Sequence, residues 1–201
     1  MSNPTTAGST PPLPLNYQGA GAGETLNEAN AFSARRKGSM HGSALASGDF
    51  LFRIFPTPER AFFIKLDSGT DMAIGVTFGL LGLAIQKMLT KNKRKAQVDE
   101  KLASFQGQRP SLLLAKDKAN HVLLRKDMQR PELLPPSFWH GGKFGRLIFR
   151  NEKGKKRVFH FEDTENFRAA LKCLHDVFGD ELINRAQWDA ARNKVVKLKA
   201  S

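Results

Sequence analysis

The sequence holds one cysteine, Cys173, and one tyrosine among 201 residues. An internal disulfide is therefore impossible, and a zinc cluster built on cysteines is excluded. This fits a reducing compartment. Acidic residues are also scarce: 19 Asp and Glu stand against 32 Lys and Arg, for a net charge of +13. Such a surface draws anionic partners, be they nucleic acid, acidic lipid or an acidic protein. The N-terminus lacks a positive stretch leading into an apolar run, so no secretory signal is read. The expected location is cytoplasmic, with peripheral association to a membrane.

Catalytic signatures are missing as well. Gly75 to Gly82 does not end in the Gly-Lys-Ser/Thr that would cradle a phosphate. His41, His121, His140, His160 and His175 lack metal-ligand spacing and read as structural histidines. Ser39, Ser43 and Ser47 sit in a flexible stretch without a nucleophile elbow. No acid–base carboxylate pair stands out. The expectation is a protein that is not an enzyme, with no cofactor and no metal. Cys173 neighbours an apolar helix face and reads as a half-buried packing residue.

What is present can build a core: 40% of residues are hydrophobic and 15 are Phe. Residues 1–48 are rich in Ser, Thr, Gly, Ala, Pro and Asn and poor in large apolar residues, so they are expected to form a disordered tail. Within it, Arg35-Arg36-Lys37-Gly38-Ser39 has the look of a basic linear motif. Order is expected from Phe50. Leu51–Phe55 and Ala61–Leu66 are β-prone runs around Pro56-Thr57-Pro58-Glu59, a hairpin with a longer loop. Ser111–Ala115 and His121–Arg125 read as further short apolar runs of strand, and Pro131–Pro136 as loop. Arg146–Arg150 and Lys156–Phe161 flank Asn151–Lys155 as a second hairpin. A helix then begins at Asp163 or Thr164, buries Phe167, Ala170, Leu171, Leu174 and Phe178, and stops at Gly179. A short helix around Ile183–Ala191 and a basic tail are expected to close the chain.

Met72–Ile85 is the most unusual stretch, fourteen residues without a charge. On a helix Gly75, Gly79 and Gly82 would form a smooth ridge, with Phe78, Leu80 and Leu83 as its large apolar companions. As a helix it would span about 21 Å, short of the roughly 30 Å hydrocarbon core of a bilayer. Three readings stay open: a helix packed inside the protein, a segment inserted shallowly into a membrane, and a helix–helix dimer ridge. A charged helix continues from Gln86 to about Leu102, until Gln106–Pro110 breaks it. Lys87, Lys91, Lys93, Arg94 and Lys95 make its first part strongly basic. A second basic cluster, Lys143, Arg146, Arg150, Lys153, Lys155, Lys156 and Arg157, is opposed locally only by Glu152, and Lys194, Lys197 and Lys199 form a third.

Several strands, a last strand Val158-Phe159-His160-Phe161 and one amphipathic C-terminal helix give the element order of pleckstrin-homology-like domains. The Gly75/Gly79/Gly82 segment followed by Lys91–Lys95, then Asp117-Lys118-Ala119-Asn120 before Val122-Leu123-Leu124, resembles small uncharacterised bacterial proteins in which that fold carries a Gly-rich hydrophobic helix. The resemblance covers roughly residues 50–180. It implies an α+β fold with a small, mainly antiparallel curved sheet, a helical insert at about 70–104 and a C-terminal capping helix, used for binding. The domain expected on these grounds runs over residues 49–180, followed by the short helix and basic tail of 181–201.

The expected function is a non-catalytic module on an anionic membrane surface. The apolar ridge Gly75, Gly79, Gly82, Phe78, Leu80 and Leu83 would contact lipid, and Lys87, Lys91, Lys93, Arg94, Lys95, Lys153, Lys155, Lys156 and Arg157 would contact anionic headgroups. The alternatives are a protein-interaction or oligomeric scaffold with the glycine ridge packed internally, and non-specific nucleic-acid binding by the Lys143–Arg157 hairpin. Expected partners are an anionic lipid surface or another protein, then nucleic acid, with a homo-oligomer left open.

Overall fold

The computed structural model describes residues 26–36, 49–68, 96–105, 107–137 and 143–198. Strands β1 (Phe32–Arg36), β2 (Phe50–Pro56) and β3 (Arg60–Ser68) come first. Helix α1 covers residues 96–103, and α2 covers Pro110–Lys116. Strands β4 (His121–Leu124), β5 (Gln129–Leu134), β6 (Arg146–Arg150) and β7 (Lys156–His160) lead into α3 (Thr164–Phe178). Short strands β8 (Ile183–Asn184), β9 (Ala186–Asp189) and β10 (Lys194–Lys197) complete the chain. The expected α+β class, with a mostly antiparallel sheet and a C-terminal helix, is what the chain adopts.

Eight strands form one open sheet in the order β4-β3-β2-β1-β7-β6-β5-β8. The sheet curls until its two halves face each other. Phe63 of β3 stacks on Phe159 of β7 at 5.2 Å and meets Phe149 of β6 edge-on at 6.5 Å, although β2 and β1 lie between these strands in the ladder. The enclosed inner face carries Phe32, Ala34, Phe52, Ile54, Phe63, Leu147, Phe149 and Phe159, capped by Phe167, Ala170, Leu174 and Phe178 of α3. A second cluster covers the outer face of the β2–β3 hairpin, where Leu51, Phe55, Phe62, Ile64 and Leu66 meet Phe105, Leu113 and Leu114. Both faces of this hairpin are largely buried, and 11 of the 16 residues in its two strands are apolar.

Local signals explain the elements that match expectation. Thr57 closes the β2–β3 loop by donating its backbone N–H to the Arg60 carbonyl at 2.7 Å. Asn151 accepts the Lys155 N–H through Oδ1 at 2.8 Å, and Gly154 takes φ 73° at the β6–β7 turn. Asp163 caps α3 by accepting the Asn166 N–H at 2.6 Å, and Gly179 ends the helix at φ 50°.

Four expectations need correction. First, Phe32–Arg36 lies inside the presumed tail and is a sheet strand, paired with β2 at five positions from Phe32↔Ile54 to Arg36↔Phe50. Phe32 and Ala34 are fully buried inward while Arg35 faces outward, a five-residue alternation diluted by the composition around it. Second, Ser111–Ala115 is helical: Pro110 starts α2, and Leu113 and Leu114 cover the outer face of β3 while Leu112 faces solvent. Third, Pro131 belongs to β5. The β5–β6 register shifts between Gln129 and Glu132, so the missing proline N–H falls at the irregularity, beside Arg130 at φ 46°. Fourth, Ile183–Ala191 is not a helix. Residues Ile183–Asn184 run parallel to Glu132–Leu133, and β9 and β10 form a hairpin that buries Ala186 and Val195 in the inner core. Val195-Val196 and an Asn193 turn at φ 48° suit strands. The ordered unit therefore extends past residue 180 and begins before 49.

Candidate anion-binding rim

Strand pairing fixes which ends of the strands lie together. Arg36 pairs with Phe50, and Phe50 pairs with Ser68, so the end of β1, the start of β2 and the end of β3 share one rim. Arg35 pairs antiparallel with His160, which sends the start of β7 past that same rim. The long connections 37–48 and 69–95 leave the sheet here, and so does the β6–β7 turn.

Side-chain alternation then decides which rim residues face inward. Arg36 shares parity with buried Phe32 and Ala34, Lys65 with Phe63, His121 with Leu123, and Arg157 with Phe159. Four polar residues from four strands thus converge at the mouth of the curled sheet. Lys65 lies over the Phe50 ring at 5.2 Å and donates to Asp117 at 2.9 Å. His121 stacks on Phe63 at 4.8 Å and meets Phe52 edge-on at 5.4 Å. Its Nδ1–H donates to the Ala119 carbonyl at 2.9 Å, which leaves Nε2 as the bare nitrogen. Nε2 is buried and has no hydrogen-bond partner among the described residues.

The charges act on each other. Burial lowers the pKa of His121 most, and the Arg157 and Arg36 charges lower it further against the opposing bond to Ala119, so the ring is held neutral. Burial and then Arg36 push the Arg157 guanidinium below its usual range, with Asp127 opposing. Asp117 is shifted downward overall: burial works against its ionisation, but the Ala119 N–H and Lys65 outweigh it. Among the described residues no carboxylate forms an ion pair with Arg36 or Arg157.

Most of the basic cluster read on the second hairpin lies elsewhere. Lys153, Lys155 and Lys156 are exposed on the turn and start of β7, whereas Arg157 points to the inner face and is half-buried. Arg146 is buried, and that burial lowers its pKa. Arg150 pairs with Glu132 at 2.7 Å. Lys194 and Lys197 are exposed on β10, which belongs to the separate β9–β10 hairpin and not to the sheet that forms the rim. Gly75, Gly79, Gly82, Phe78, Leu80, Leu83, Lys87, Lys91, Lys93, Arg94 and Lys95 lie outside the described residues, as does Lys199. His160 and Cys173 are buried, while His175 is exposed in the last turn of α3.

The outer face has the opposite polarity. A groove of about 910 Å³ between α1, β1–β2 and the start of α3 is lined by Glu28, Asp67, Asp99, Glu162, Asp163 and Glu165. Arg53 and Arg35 answer only part of this charge, pairing with Glu28 at 2.7 Å and Glu162 at 2.5 Å. Among the described residues the groove lining therefore carries more carboxylates than cations, opposite in sign to the rim.

Sequence reasoning gives Lys65 no site role, reads His121 as structural, and sees Arg36 only within the basic run Arg35–Ser39 of the tail. They are distant in the chain, and each carries only a faint mark: a polar residue two positions from an inward-facing apolar one. No helix among the described residues is long and apolar enough to cross a membrane. No protein-family model matches the chain, and neither the curated proteins nor the solved structures provide a match.

Proposed function

We infer that this chain is a non-catalytic binding module of pleckstrin-homology-like architecture that docks on an anionic membrane surface. Seven strands in the order β4-β3-β2-β1-β7-β6-β5, followed directly by a helix that caps the enclosed face, support the architectural part of this reading. β1 supplies the strand that the sequence resemblance left out.

One observation carries the functional part. The rim where Arg36, Lys65 and Arg157 converge is also the rim where Ser68 ends β3 and the chain departs into the apolar Met72–Ile85 and basic Lys87–Lys95 segment. An apolar segment flanked by cations suits an interfacial position, with about 1 kcal/mol contributed per Lys or Arg near an anionic leaflet. The exposed Lys153, Lys155 and Lys156 extend past the same rim and add to the field.

Sedimentation of the full chain with vesicles tests the proposal. Pelleting is expected with phosphatidylcholine–phosphatidylglycerol mixtures and not with phosphatidylcholine alone, and it should weaken as salt is raised. Equally negligible pelleting with both would end the membrane reading.

A further inference from the structure

The groove on the outer face concentrates charge against the composition of the chain. Six of the 19 Asp and Glu residues line it, in a protein of net charge +13. Its two arginines are already engaged, Arg53 by Glu28 at 2.7 Å and Arg35 by Glu162 at 2.5 Å. Asp99 on α1 and Glu165 on α3 are exposed on opposite walls, and neither forms an ion pair among the described residues. Glu28 Oε1 is buried and accepts no hydrogen bond among them either. Between the walls the lining turns apolar, with Leu51 of β2, Val98 and Leu102 of α1 and Ala169 of α3. The last three are only half-buried, so apolar surface is left uncovered between unpaired carboxylates.

We propose that this groove docks a basic amphipathic helix of a partner protein. Its apolar stripe would lie on Leu51, Val98, Leu102 and Ala169, and its lysines or arginines would reach Asp99 and Glu165. Charge complementarity selects a cationic partner, since six carboxylates face two arginines in the lining. The floor selects a helix. β1 is bordered by β2 at five positions and by β7 at Arg35, and the Ser33 N–H donates to Asn166 Oδ1 at 2.6 Å. No strand edge is open in the groove, so an extended peptide would lie there with its backbone groups unpaired. A helix satisfies its own backbone and needs only a trough of side chains. From Ala31 to Arg35 the floor runs about 13 Å at 3.3 Å per residue, enough to seat about nine residues of helix. This contact lies outside the inner rim and is independent of the membrane proposal.

Fluorescence anisotropy of the full chain with a labelled synthetic helix, lysines on one face and leucines on the other, tests the proposal. Binding is expected, and it should weaken as salt is raised. The same peptide with serine in place of leucine should bind at least tenfold more weakly, because the apolar lining then has nothing to cover. Amide shifts caused by the lysine–leucine peptide should gather at Ser33, Leu51, Leu102 and Ala169. Asp99→Lys with Glu165→Lys, both at exposed positions, should lose at least tenfold in affinity for that peptide. A glutamate–leucine peptide should shift the groove amides in this variant and not in the parent.

Affinity for the lysine–leucine peptide that stays within twofold after charge reversal overturns the proposal, as do shifts confined to residues outside the groove. Groove shifts with spermine and none with the peptide would also overturn it, in favour of a small-cation site. The serine peptide and the amide map decide the matter on the parent chain even if the reversed variant does not fold. Vesicle pelleting plays no part in these readouts, so the two proposals fail separately.

Discussion

The basic residues of the β6–β7 turn and those of the inner rim carry the same sign of charge in unlike surroundings. Lys153, Lys155 and Lys156 are exposed, each free to move and to be screened by salt. Arg157, one residue further on, faces inward opposite Phe149, close enough to Arg36 for the two charges to disfavour each other. The lesson concerns alternation: in a strand, adjacent residues belong to different surfaces, so a run of basic residues in sequence is not one patch. The turn supplies diffuse field. The rim supplies a place.

The largest test of this contrast removes the strand that holds Arg36. Deleting residues 1–36 takes away β1, exposes the β2 and β7 edges and uncovers the inner core around Phe52 and Phe159, so cooperative unfolding should be lost by calorimetry. If the truncated chain melts like the parent, β1 is not integral and the rim has no first member.

Next in size is Phe63→Ala. This ring is fully buried and is the floor on which His121 stacks, so its loss should cost about 3–5 kcal/mol in denaturant titration. Lys153→Ser, Lys155→Ser and Lys156→Ser together should change stability by less than about 0.5 kcal/mol in the same measurement.

Asn120 sharpens the picture from the β3 side. Its side chain accepts the Lys65 N–H at 2.7 Å and donates to the Leu113 carbonyl at 2.7 Å, joining the rim strand to α2. Asn120→Ala leaves both groups unpaired in a buried place and should destabilise by about 3 kcal/mol. A loss below about 0.5 kcal/mol would show that water replaces the side chain.

The smallest expected effect is the pH signature of His121. Its folded pKa lies below the ordinary histidine value of 6.5, so the unfolded chain binds more protons in the window beneath that value. Stability contributed by this residue is therefore complete above pH 6.5 and declines as pH falls from there toward the folded pKa. His121→Phe should flatten that decline in thermal melts between about pH 5 and 7. An unchanged slope would assign it to other groups.

Elements with local signals were legible in the sequence. α3 declared itself through Asp163, its apolar spacing and Gly179, and both hairpins through alternating aromatics about a polar turn. β1 was hidden because five alternating residues cannot lift the average of the Ser- and Gly-rich chain around them. Leu112-Leu113-Leu114 has no readable period over so short a run, so it reads as strand where the chain forms α2, and Pro131 reads as loop because only tertiary register reveals a bulge. The basic turn was visible, but the rim was not: Arg36, Lys65, His121 and Arg157 meet only after four strands are put in register.

Binding to vesicles containing phosphatidylglycerol by two variants, Arg36→Gln with Arg157→Gln and Lys153→Ser with Lys155→Ser and Lys156→Ser, tests the central claim most directly. The rim pair should lose most of its binding at physiological salt, while the turn triple keeps most of it at that salt and weakens mainly in how steeply its binding depends on salt. Equal losses per charge removed, or a larger loss in the turn triple, would contradict the account and make the surface a simple sum of exposed charge.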